Sequence, residues 1–152
     1  MVNNTLNQIR AIAGGSDDRV VKAQRLAEMI QQIGTYRWVG VYDVSVEVVS
    51  IISWSGPGAP EYPTFPVTKG LTSRAIQSKK PVIVGDVRKD EKYLTAFGNT
   101  LSEMIVPVLS PGDGRVIGTV DVESEKVNAF GDGDLKMIEQ CIQAAMTLWL
   151  VL

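Results

Sequence analysis

The chain has 152 residues, 45% of them hydrophobic, which suits one globular domain with a real core. Its 15 basic and 17 acidic residues give a net charge of −2, and the basic residues are scattered, so no nucleic-acid partner is indicated. With no histidine and a single cysteine, Cys141, the sequence excludes an internal disulfide, Cys/His zinc sites, a His-ligated haem and any Ser-His-Asp or Cys-His mechanism. A hard cation held by carboxylate oxygens stays open. The opening MVNNTLNQIR has no basic segment followed by an apolar one. The longest apolar tract, residues 144–152, falls far short of the roughly 20 residues of a bilayer span. The expectation is a soluble, cytoplasmic protein without membrane contact, one domain over residues 1–152.

Leu6, Ile9, Ile12 and Ala13 have helical spacing before Gly14-Gly15, which predicts a short helical extension within residues 1–15. Ser16, Asp17 and Asp18 then offer a cap for a second helix, with Val20, Ala23, Leu26, Ala27, Ile30 and Ile33 on one stripe and Gly34 at its end. Residues 38–44 and 46–54 are β-rich runs separated by almost nothing, a tight hairpin or a bulged pair. Residues 55–66 carry Pro57, Pro60, Pro63 and Pro66, too broken for regular structure and too long for a routine connection; they read as a lid or binding loop. A short helix through Ala75, Ile76 and Lys79 follows, then Val82, Ile83 and Val84 as a buried strand. The polar connection 86–100 is interrupted by Tyr93, Leu94 and Phe97 at the spacing of a helical turn.

The stretch 101–124, LSEMIVPVLSPGDGRVIGTVDVES, organises the rest of the chain. Two apolar runs flank Ser110-Pro111-Gly112-Asp113-Gly114, in which proline presets φ and glycine tolerates φ > 0, so the stretch reads as a β-hairpin. Its strands are apolar at nearly every position, as in a central strand covered on both faces. Asp121 and Glu123 share a face by alternation. An odd-length loop puts Glu103 on that same face, roughly opposite Asp121, and an even-length loop moves it to the other side. In the first register three carboxylates converge, a cluster that asks for a partner.

After Gly131-Asp132-Gly133, Leu135, Ile138, Ile142, Ala145, Trp149 and Leu152 recur at three and four residues, widened by Cys141 and Leu148. This is the most regular helical pattern in the chain. The order of elements predicts an α+β domain: a central antiparallel sheet, terminal helices on one face, and a loop-covered pocket on the other. Met29, Met146, Leu148, Leu150 and Val151 enlarge the apolar surface of the terminal helices, which predicts a homodimer formed through them.

The residues resemble a GAF domain and, more narrowly, the free methionine-(R)-sulfoxide reductases built on it. The likeness runs from Gln32 to Ile142. It rests on WVGVY at 38–42, FPVTKGLTSRA at 65–75, Asp86-Val87, SEMIVPV at 102–108 and GTVDVES at 118–124. The resemblance implies the same sheet and pocket, and it places the family's pocket carboxylates on Glu103, Asp121 and Glu123. It also places the family's cysteines on Thr72, on Ala96 and near Tyr62, none of them a cysteine. A sulfoxide reductase needs a thiolate, and Thr72 without a base cannot replace one. A bilin or an iron-sulfur centre would likewise need cysteines, and no Gly-rich phosphate cradle is evident for a cyclic nucleotide.

The expected function is therefore non-catalytic binding of a small molecule by a sensor or regulatory domain, with no cofactor; the alternatives are a reductase-like enzyme with altered chemistry and a structural dimerisation module with a vestigial pocket. An amino acid or close derivative would set its ammonium toward Glu103, Asp121 and Glu123 and its anionic end toward Thr72 and Ser73, flanked by Lys69 and Arg74. Trp54 and Tyr62 are further candidates to line the site, although Trp54, like Trp38, also reads as a packing aromatic. A bare Ca²⁺ or Mg²⁺ on the trio is the competing occupant.

Overall fold

Helical periodicity governs both ends of the molecule. A computed structural model, which describes residues 2–94 and 98–150, has α1 at Val2–Ala13 and α2 at Arg19–Gly34. Of the three cap candidates Asp18 serves, accepting the Val21 N–H at 3.1 Å. Ala23, Leu26, Ala27 and Ile30 are buried, but Val20 and Ile33, expected on the same stripe, lie at its margins and are 58% and 42% exposed. The sheet covers only a stripe about one strand-pair wide, so the two residues at the ends of the helix overhang it.

Six strands follow: β1 (Trp38–Val44), β2 (Val48–Ser55), β3 (Thr64–Pro66), β4 (Val82–Val84), β5 (Ser102–Leu109) and β6 (Val116–Ser124). They form one antiparallel sheet in the order β3-β2-β1-β6-β5-β4. The pair β1–β2 is both hairpin and bulged, the register slipping between Val41 and Tyr42. The proline-rich loop after β2 is not wholly irregular, since its last residues pair as β3. A correction falls on β4. It is an edge strand with Ile83 41% exposed, not a buried one, because only β5 flanks it.

Alternation sorts the side chains into two layers. Val39, Val41, Met104, Val106, Val120 and Val122 meet Leu26, Ile30, Ile138 and Ile142 on the helical face, together with Ile9 and Ala13 of α1. Each fully buried Val, Leu or Ile there contributes about 1.5–3 kcal/mol. The N-terminal helix thus shares the main core. The last helix, α4, covers Asp132–Ala144 and stops short of the expected Leu152; the 3-10 turn Met146–Leu148 and Trp149 follow, and residues 151–152 lie outside the described residues. The turn tucks Leu148 and Trp149 into the core beneath α4. On the opposite face lie α3 (Thr72–Ser78), the loop 56–63 and the connection 85–101. No α-helical turn forms at Tyr93 and Leu94, and Phe97 lies outside the described residues. No helix among the described residues is long and apolar enough to cross a membrane.

Candidate functional site

The register of β5 and β6 decides where the carboxylates go. The loop between them has six residues, 110–115, an even number that by plain alternation would send Glu103 to the helical face. It does not, because Val108 pairs with Gly118 while Leu109 pairs with Val116, leaving Ile117 as a one-residue bulge. The bulge restores parity. Glu103 faces Glu123 directly and Asp121 faces Ile105, so Glu103 is opposite Glu123 and not, as expected, opposite Asp121. Gly118 fits beside the bulge because Trp149 lies against it: a Cβ there would stand 2.2 Å from the Trp149 Nε1. That indole N–H donates to the Tyr42 carbonyl at 3.0 Å.

Glu103, Asp121 and Glu123 are 3%, 5% and 1% exposed, and each offers an oxygen within 4.8 Å of the others. Two full charges at that separation repel by about 3 kcal/mol at an effective dielectric near 20. Thr100 Oγ1 donates to Glu123 Oε1 at 2.5 Å, and the Tyr93 hydroxyl donates to the same oxygen at 3.5 Å. Asp121 Oδ1 and Glu123 Oε2 are buried without a hydrogen-bond donor from outside the trio, and the Thr119 hydroxyl, also on β6, is buried without a partner. None of the ion pairs among the described residues involves the trio.

Burial is the main cause of altered proton affinity here. It lifts Glu103 well above the usual carboxylate range, reinforced by the charges of Asp121 and Glu123. It lifts Glu123 as well, reinforced by Asp121 and opposed by the donors Thr100 and Tyr93. Asp121 is raised less, to about 6, because hydrogen bonds from Glu103 and Glu123 favour its charged form. All three acids are thus biased toward their protonated forms. Tyr42, buried beside them, has its phenol pushed up by burial and then by the three acids.

Glu103 and Asp121 form the floor of a cavity whose walls are Tyr42, Tyr62, Phe65, Gly70, Leu71, Thr72, Leu94 and Ile105. Its free volume is about 10 Å³, room for about one water. The site is closed by its loops as folded. Thr72, Tyr62, Glu103 and Asp121 therefore share one cavity, with Glu123 beside it. Trp54 does not line it: it pairs with Gly40 and packs in the cluster of Trp38, Tyr42 and Val49, and the Trp38 and Tyr42 rings lie over Gly40 between it and Asp121. The Ser73 hydroxyl is spent on the Gly70 carbonyl at 2.8 Å. Arg74 is spent on Asp90, two bonds of 2.7 Å, and Lys69 is exposed. The basic flank expected for an anion is thus turned elsewhere. Ala96 lies outside the described residues.

Alternation from Trp38 through Gly40 to Tyr42 is the signal that could have found Tyr42; Leu71 and Leu94 come from loop geometry and carry none. Cys141 is on the far side of the sheet in the helical core, 1% exposed, its thiol pushed up to about 11 by burial.

Comparison with known proteins agrees with this architecture. GAF domain-containing protein A of Dictyostelium discoideum is 27% identical over 141 residues, 92% of this chain and 87% of that protein. The structure of the free methionine-R-sulfoxide reductase of Neisseria meningitidis in complex with its substrate superposes with a TM-score of 0.82 at 25% identity, covering 97% of this chain and 87% of that one. The type II free methionine-R-sulfoxide reductase of Thermoplasma acidophilum gives 0.76 at 27% identity, covering 86% and 95%. The GAF domain family matches residues 23–147, the whole sheet with α3, α4 and most of α2, and to that family this chain belongs.

Proposed function

We propose that this GAF domain is a non-catalytic binding module, a sensor or regulatory unit, for an amino-acid-like ligand whose ammonium group sits at Glu103, Asp121 and Glu123. The carrying observation is the buried trio itself: three acids within 4.8 Å, with the carboxylate oxygens Asp121 Oδ1 and Glu123 Oε2 lacking a donor. An ammonium supplies three N–H donors and a positive charge, which removes both deficits at once. Tyr42, Phe65, Leu71 and Ile105 give the adjoining wall an apolar surface for a side chain. The Neisseria relative was solved with its substrate, and its enzyme class acts on a free amino-acid sulfoxide.

Reductase chemistry is not part of this reading, because the sequence holds one thiol and it lies on the other side of the sheet. Because the cavity is shut, binding requires the loops to part. Isothermal titration with amino acids, their sulfoxides, Ca²⁺ and Mg²⁺ tests the assignment. Amino-acid heat in the wild type that is lost in Glu103→Gln supports it; unchanged amino-acid binding in that variant removes the trio as the ammonium site, and heat from the metals alone replaces the ligand class.

The whole of residues 1–152 is read as one domain, since Ile9 and Ala13 are buried in the same core as α4. Association through the terminal helices is supported by Ile33 and Leu150, 42% and 48% exposed. The Leu148 side chain, expected in that surface, is buried within the chain instead. A dimer mass by light scattering at tens of micromolar is the expected result, and a monomer at that concentration refutes it.

A further inference from the structure

A buried triad of acids cannot carry three charges, and among the described residues no basic side chain is paired with this one. The groups that face it from each packed element are Tyr42 from β1, Tyr62 from the loop before β3, Thr72 from α3, Tyr93 and Thr100 from the described part of the connection 85–101, and Thr119 within β6. All are neutral hydroxyls. The nearest guanidinium on the covering helix, Arg74, is engaged by Asp90. The charge of the ligand-free site is therefore set by protons shared among three crowded acids, whose affinity for them burial raises.

An ammonium brings donors and no acceptor. It competes with the shared protons for the same crowded acid oxygens, of which Asp121 Oδ1 and Glu123 Oε2 are buried without a donor. Exchanging one carboxyl proton for one ammonium leaves the charge of the site unchanged. We infer that the trio takes up a cationic ligand in exchange for a proton, which makes binding at this pocket sensitive to pH. This rests on the ammonium reading above and adds its regulation. The balance is one proton released to solvent for each ligand bound, with no electrons moved. Affinity then rises about tenfold per pH unit wherever the exchange is complete. It falls further below pH about 6, where Asp121 also becomes protonated.

Titration of the whole protein with L-methionine at pH ~7, in phosphate and again in Tris, measures the exchange, because the two buffers absorb a proton with different heats. The expected result is a difference in observed heat equal to about one proton per ligand. Equal, measurable heats in both buffers overturn the inference. Absence of heat in both overturns the ammonium reading, and the protonated-carboxyl stretch in infrared spectra of the ligand-free protein then decides the proton half. A band at pH ~7 that diminishes in Glu103→Gln, with the fold checked by circular dichroism, supports the shared protons. No such band in the wild type overturns them.

Discussion

Raising the pH should destabilise the ligand-free protein, and the size of the effect follows from Asp121. Its carboxyl is raised from 3.8 to about 6, chiefly by burial. A group whose folded pKa is raised contributes stability that is fully present below its unfolded pKa and lost as pH climbs through the folded value. Two units at about 1.4 kcal/mol each give a loss of about 3 kcal/mol between pH ~4 and ~6.5. Glu103 and Glu123, raised in the same direction, extend the loss above that window. Opposing contributions come from Asp86, Asp90 and Asp113, which are lowered by neighbouring Arg88, Arg74 and the Arg115 N–H. Their stability is lost only on acidification below about pH 4. The interval from pH ~5 to ~8 therefore isolates the trio. For a chain of 152 residues each kcal/mol moves Tm by about 2–4 °C, so a drop of several degrees is expected across that interval. Thermal unfolding followed by circular dichroism, in matched ionic strength, is the assay. Glu103→Gln should flatten the slope and exceed the wild type at pH ~8 by about 3 kcal/mol, the pairwise repulsion it removes. A wild type equally stable or more stable at pH ~8 refutes the reasoning, for it would mean the trio is not shedding protons it needs.

Three further outcomes follow from single contacts. Gly118→Ala sets a methyl against the Trp149 indole and should cost about 1–3 kcal/mol in urea unfolding, with loss of the Trp149 to Tyr42 bond visible in tryptophan fluorescence. Thr100→Val removes a donor from a buried acid and should destabilise by about 1–3 kcal/mol at pH ~7, less at pH ~5 where Glu123 is more fully protonated. Cys141 should react with a disulfide reagent only as fast as the protein unfolds, and free methionine sulfoxide with thioredoxin and its reductase should give no turnover above background. Turnover that persists in Cys141→Ser would refute the loss of reductase chemistry.

Most of the layer pattern was legible in the sequence because burial on the helical face is a question of period. Val39, Val41, Val120 and Val122 alternate with Gly40, Asp121 and Glu123, and that alternation alone separates core from pocket face. What escaped were properties that depend on neighbours distant in the chain. The apolar Val82, Ile83 and Val84 look like a central strand until the sheet order leaves them at its edge. Likewise Arg74 reads as available to a ligand until Asp90, sixteen residues on, folds back to bind it. Trp54 sits on the pocket face, yet the Trp38 and Tyr42 rings that fill the space over Gly40, between it and Asp121, have no counterpart in its local pattern.

The parity of the hairpin shows how a site can hang on one residue whose signal is faint. Six loop residues would have separated Glu103 from Asp121 and Glu123, leaving one acid in the helical core and two in the pocket. Such a protein would bury an isolated charge among Ile30, Val122 and Ile138, a cost of several kcal/mol. Ile117 prevents this by standing outside the ladder, and the mark of it in the sequence is Gly118, a glycine set among the β-branched Val116, Ile117, Thr119 and Val120. The glycine in turn accommodates Trp149, contributed by the turn after α4. The C-terminal segment thus braces, from the opposite face of the sheet, the bulge that keeps the three carboxylates together. A perturbation at Trp149 that released the bulge would therefore act on the pocket by register, moving Glu103 through the sheet, without touching any residue that lines the cavity.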